Sequence, residues 1–75
     1  MTRLPQITAR QMLAVLERAG FQIQRSNGSH HYLVHRSDPT RRTTVSMHPG
    51  DLSMIDTRDI LKQAKLSRSE FLKLR

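Results

Sequence analysis

Cysteine is absent from this 75-residue chain, so neither a disulfide framework nor a thiolate metal site is available to it. Long apolar runs are absent too. None approaches the ~20 residues that a membrane-spanning helix needs, and the N-terminus lacks the apolar core of a signal peptide. A cytoplasmic protein without membrane attachment is therefore expected. Glycine occurs only at positions 20, 28 and 50, which excludes a Gly-rich loop cradling phosphate. Acidic residues are few, with 6 Asp and Glu against 13 Lys and Arg, a net charge of +7.

That charge balance points to a polyanionic partner, nucleic acid above all. Ten of the 13 basic residues are Arg, whose planar fork suits phosphate better than a lysine ammonium does. Charge alone does not separate RNA from DNA. The chain has room for one domain over residues 1–75, with its folded core at about 8–74. A domain near this size buries only ~60% of the surface its unfolded chain exposes, so a partner protein can add much to its stability.

The apolar residues fall in periodic blocks, which argues for folding rather than disorder. Thr8 and Gln11 form a capping box that opens a helix. Ala9, Met12, Leu13, Leu16 and Ala19 make its apolar stripe, and Gly20 ends it. Phe21, Ile23 and Arg25 alternate with Gln22 and Gln24 as a short strand, and Ser26, Asn27 and Gly28 read as a turn. A second strand follows over 29–36. The β-branched Thr43, Thr44 and Val45 mark a third over 42–47, broken by His48, Pro49, Gly50 and Asp51. Asp56 is the expected cap of a second helix, with Asp59 at its third position. Ser67 and Glu70 form a capping box for a short last helix. The expected fold class is α+β: helix, three-stranded antiparallel sheet, helix and short helix, with the helices on one face.

Chemistry centres on four histidines, at positions 30, 31, 35 and 48. Three lie on the second strand. If the second and third strands pair as a hairpin, His48 comes near the start of the second, close to His30. Strand parity puts His30, Tyr32 and Val34 on one face and His31, Leu33 and His35 on the other. Each face holds an aliphatic residue. We expect Tyr32 and Val34 in the core with His30 at its rim, although Tyr32 could instead stack on a base, and His31 and His35 at the surface of the sheet.

Adjacent strand residues diverge, so His30 and His31 cannot readily chelate one ion, and no metal site is expected. For the same reason Ser29 beside His30 does not make a triad, and no carboxylate is placed to orient the ring. What remains is a histidine among arginines. An imidazole, titrating near ~6.5, can take the proton of an RNA 2′-hydroxyl or protonate a leaving 5′-oxygen without any cofactor. Arginine can stabilise charge on the phosphoryl oxygens. Such a mechanism needs a 2′-hydroxyl and so selects RNA. The bland alternative is a structural histidine at the core rim. Arg25, Arg41 and Arg42 are candidate phosphate contacts, although a solvated hairpin edge explains Arg41 and Arg42 equally well.

The stretch Gly20-Phe21, Arg25 and Gly28-Ser29-His30-His31-Tyr32 resembles the HicA family of toxin ribonucleases. So does Thr44-Val45-Ser46-Met47-His48, followed by Ile60-Leu61-Lys62-Gln63-Ala64. Order and spacing agree from about Thr8 to about Leu72. The resemblance implies a fold like the double-stranded-RNA-binding domain. It implies an mRNA interferase, an endoribonuclease inhibited by a HicB-type antitoxin that covers the active site. The family's catalytic histidine maps onto His30, and Arg25, Asn27, Ser29, Arg42 and His48 become candidate RNA-binding residues beside it.

Three positions depart from the family pattern. Asn27 stands where a basic residue is frequent, which leaves Arg25 as the nearby phosphate contact. Ser46 replaces a frequent Pro, and Lys65 a frequent Gly. Two other readings stay open: a non-catalytic RNA-binding module of the same fold, and an inactive toxin relative that only binds its antitoxin.

Overall fold

The computed structural model describes residues 4–75, so the first three residues of the expected single domain lie outside the described residues. Thr8 caps α1 (Ala9–Arg18) as expected: its hydroxyl accepts from the Gln11 N–H, and the Gln11 side chain accepts from the Thr8 N–H. This pair satisfies two of the N–H groups that a helix start leaves without partners. Met12, Val15 and Leu16 are then buried on one stripe of the helix.

Gly20 turns the chain at φ +101°, a conformation L side chains rarely adopt. The strands β1 (Phe21–Asn27), β2 (His30–His35) and β3 (Arg42–Ser46) follow as an antiparallel meander in the order β1-β2-β3. The loop between β2 and β3 is held by Asp38, whose carboxylate accepts from the Thr40 hydroxyl and N–H. Those two bonds keep the Asp38 carboxyl below the usual carboxylate range. Before α2 (Met54–Ala64) the chain touches the N-terminal segment, with the Leu52 N–H donating to the Ile7 carbonyl at 2.8 Å. The last helix, α3 (Arg68–Leu74), opens on the expected Ser67–Glu70 capping box.

The core lies on one face of the sheet, between Phe21, Leu33, Thr43 and Val45 below and Met12, Leu16, Ile60, Leu61 and Phe71 above. The expected parity holds, but the buried face is the other one. Tyr32 and Val34 are only half-buried and occupy the opposite face, while Leu33 is 2% exposed. Both faces of β2 offer an aliphatic residue, so its partners decide. Leu33 pairs with Thr43, and both of them, with Val45, meet the helices.

Three further expectations shift. The turn consists of Gly28 and Ser29, with Ser26 and Asn27 drawn into β1 opposite His31 and His30. Gly28 has φ +61° and Ser29 does not, the pattern of a two-residue II′ turn, which suits strand twist. Ser53, not Asp56, caps α2. Its hydroxyl accepts from the Asp56 N–H at 3.0 Å, which sets Asp56 at the third helical position and Asp59 in the helix interior. Finally, the alternation expected through Arg25 is broken by a bulge. Ile23 pairs with Leu33 and Arg25 with Tyr32, leaving Gln24 as the extra residue. Because the side-chain period of a strand is two, one inserted residue turns Arg25 away from the face that Phe21 and Ile23 share.

Candidate functional site

The face of the sheet turned away from the helices carries three cross-strand rows. Asn27, His30 and Ser46 form the first; Arg25, Tyr32 and Thr44 the second; Gln22, Val34 and Arg42 the third. Successive rows lie two residues apart, about 7 Å along the strands. None of these nine residues is acidic. The face is therefore polar and basic, with Tyr32 near its middle, although the opposite face of the same strands seals the core.

His30 is exposed at the start of β2, and its ring makes no hydrogen bond among the described residues. Its backbone is fixed from both sides, by Asn27 on β1 and Ser46 on β3. The adjacent Ser29 sits in the turn, and its carbonyl accepts from the Met47 N–H at 2.7 Å. This bond brings the end of β3 against the turn, so the exposed His48 follows at the same end of the sheet as His30. An open cleft of about 480 Å³ there is shared by His48, Pro49 and Gly50 with Thr8, Ala9 and Arg10 at the start of α1.

The remaining candidates divide. Arg25 shares the face with His30, one row along, and its guanidinium carbon lies 4.6 Å from the centroid of the Tyr32 ring. Asn27 is the direct cross-strand neighbour of His30. Arg42 belongs to the same face but two rows away, about 13 Å along the strands, with its Nε donating to the Pro39 carbonyl. Arg41 points to the other side. Its Nε donates to the Ala64 carbonyl at 2.8 Å, and its guanidinium lies over Phe21. There it meets the negative end of the α2 dipole, so it acts as a helix-end cation rather than a solvated edge residue.

The other two strand histidines are engaged. His31 lies on the core side of β2 with Nδ1 at 2.6 Å from the Ser26 hydroxyl. His35, expected at the surface, is half-buried. Its ring packs edge-on against Phe21 at 5.2 Å, and its Nδ1 accepts the Ser37 N–H. Sequence reasoning missed the Arg25–Tyr32 pair and the approach of Arg10 to His48. The first depends on the bulge and the second on a contact between segments far apart in the chain, and neither leaves a local pattern. Among the described residues no group of three or more His, Asp or Glu side chains is gathered where one ion could be held, and no helix is long and apolar enough to cross a membrane.

Comparison with curated proteins finds none that matches. Comparison with protein families finds one whose profile, the HicA toxin of bacterial toxin–antitoxin systems, covers residues 9–66, from the first residue of α1 to just beyond α2. All three rows of the open face fall inside that span, and such a toxin implies a cognate antitoxin as its partner. The chain belongs to the HicA toxin family.

Proposed function

We propose that this toxin is an endoribonuclease that cuts mRNA on the open face of its sheet, with His30 as the group that moves the proton. The observation that carries this reading is the setting of His30. It is the histidine of the face, its backbone is held on both sides, its ring is uncommitted, and the eight residues around it include two arginines and no carboxylate. A carboxylate there would repel the phosphodiester, and a committed ring could not reach a substrate proton.

In this reading His30 takes the proton of a 2′-hydroxyl, and the imidazolium so formed returns it to the leaving 5′-oxygen. The 2′-oxygen attacks the adjacent phosphorus, the bond from phosphorus to the 5′-oxygen breaks, and a 2′,3′-cyclic phosphate and a 5′-hydroxyl result. Arg25 is the nearest cation of the face. Asn27, Ser29 and His48 border the same end, where an amide, a hydroxyl and an imidazole offer hydrogen bonds to sugar and phosphate. Arg42 lies where it meets RNA two rows on. The reaction draws only on these side chains and needs no cofactor. A HicB-like antitoxin is the partner proposed to cover this face, and the cytoplasm, where mRNA is met, is the proposed site of action.

The test is cleavage of single-stranded RNA by the purified protein in EDTA, compared with His30→Ala. Cleavage that vanishes in the variant, with thermal unfolding unchanged, supports the reading. RNA that stays intact while still bound by the wild-type chain sinks it in favour of a non-catalytic RNA-binding module, a role compatible with Asn27 where the family often carries a basic residue.

A further inference from the structure

We propose that Arg25 and Tyr32 form a stacking platform that seats the base of one RNA nucleotide beside the bond that His30 addresses. The proposal rests on the reading of this face as RNA-binding and adds a subsite to it.

Tyr32 is placed for such a role. It is the only tyrosine of the chain, it stands one row from His30 on the same face, and it is half-buried outside the core. Its hydroxyl has no hydrogen-bond partner among the described residues. A tyrosine kept for packing normally buries its ring among apolar side chains and bonds its hydroxyl; this one does neither. Arg25 is brought over the ring by the bulge at Gln24, without which Gln24 would hold the place opposite Tyr32. Bulges are frequent beside functional sites because they re-aim a side chain in this way.

An open groove of about 560 Å³ borders the pair, lined by Gln24, Arg25, Tyr32, Arg42 and Thr44 and, from the helix side of the sheet, by Leu33, Thr43 and Gln63. Aromatic rings and arginine planes are the surfaces on which single-stranded RNA stacks its bases, and amides and hydroxyls at the margin read base edges. The row spacing of about 7 Å is the reach of one extended nucleotide. A base on the platform therefore carries its own sugar-phosphate linkage to His30, and the next linkage towards Arg42. A guanidinium whose central carbon lies 4.6 Å from a ring centroid can act as a stacking surface first and a phosphate ligand second, which changes the role of Arg25 from the one its charge suggests.

The experiment measures RNA binding by fluorescence anisotropy in the cleavage-silenced His30→Ala chain. The probes are a short single-stranded RNA and copies of it made abasic at one position each. Base–aromatic stacking of ordinary strength corresponds to at least about fivefold in affinity. We expect Tyr32→Leu and Arg25→Lys each to weaken the intact RNA by that much or more. They should leave unchanged the binding of the copy that lacks the seated base, and Tyr32→Phe should bind like its parent. Because Arg25→Lys keeps the charge, the salt dependence of binding should be retained. Equal weakening of intact and abasic RNA, or none, overturns the platform. If Tyr32→Leu fails to fold, Arg25→Lys against the abasic series decides alone. Cleavage by the wild-type chain is read separately: loss of base dependence with cleavage intact removes the platform only, and base dependence without cleavage removes only the nuclease.

Discussion

His30 and His35 stand at the two ends of one six-residue strand, and their surroundings could hardly differ more. His35 turns to the core side, its ring edge against Phe21, one nitrogen accepting the Ser37 N–H and the other close under Gly20. His30 turns to the open face, and neither ring nitrogen has a partner among the described residues. One strand thus holds a histidine whose polar atoms are used up by the fold and another whose polar atoms are left for something else. Residue type and neighbouring charge do not separate the two; the number of partners does.

The widest break in the comparison should come from His30→Ala. Removal of a proton-transferring side chain lowers rate by about 100- to 10,000-fold, and a surface substitution of this kind shifts stability by no more than about 0.5 kcal/mol. RNA cleavage assays beside thermal unfolding check both halves.

The reverse pattern is expected at the other end of the strand. His35→Ala should cost about 1–3 kcal/mol of stability, through lost ring packing and an abandoned N–H acceptor, and reach activity only through the folded fraction. Gly20→Ala should cost a similar ~1–3 kcal/mol, since its Cβ would stand 2.9 Å from the His35 Nε2 at a φ of +101°. The double variant should lose less than the sum, because removing the ring removes the clash. Strict additivity in denaturant melts would show that the two do not touch.

A third class of polar atom sharpens the contrast. The Thr57 hydroxyl is buried within α2 and has no hydrogen-bond partner among the described residues. Thr57→Val keeps the shape and removes an unsatisfied group, so it should raise stability by about 1 kcal/mol. A loss of stability on denaturant unfolding would mean the hydroxyl has a partner after all.

The smallest effect is expected at Lys65, which ends α2 in the left-handed conformation at φ +54° and ψ +41°. Glycine takes that conformation freely, but Lys65→Gly also gives up the bond from Nζ to the Thr40 hydroxyl. The net gain should be about 0.5 kcal/mol, visible as a small rise in melting temperature.

The sequence was most legible where side chains bond their own backbone. Thr8–Gln11 and Ser67–Glu70 are local devices, three residues across, and both helix starts fall where they are expected. Asp56 was the expected cap of α2, and the path of the preceding chain, with the Leu52 N–H bonded to the Ile7 carbonyl, puts Ser53 in that place instead. The face of β2 was not legible, because Leu33 and the Tyr32–Val34 pair are equally apolar until β3 and the helices arrive. Arg41 was not legible either, since its partner carbonyl lies 23 residues on, at a helix end whose place depends on the whole fold. His30 stood out through its motif. Strand parity already set Tyr32 on its face, but the exposure of that face and the place of Arg25 over the Tyr32 ring became visible only once the strands were paired.

The bulge at Gln24 also bears on how the molecule behaves in a crowd of its own copies. β1 is an edge strand, seven residues long, and it carries the partly exposed Ile23. A flat edge of that length is an invitation for another chain to pair along it. The extra residue breaks the ladder next to Ile23 and bends the edge, and the arginine it re-aims adds charge there. The irregularity that brings Arg25 over Tyr32 thus also hinders growth of the sheet into an aggregate. This protection matters most whenever the toxin is free of its antitoxin.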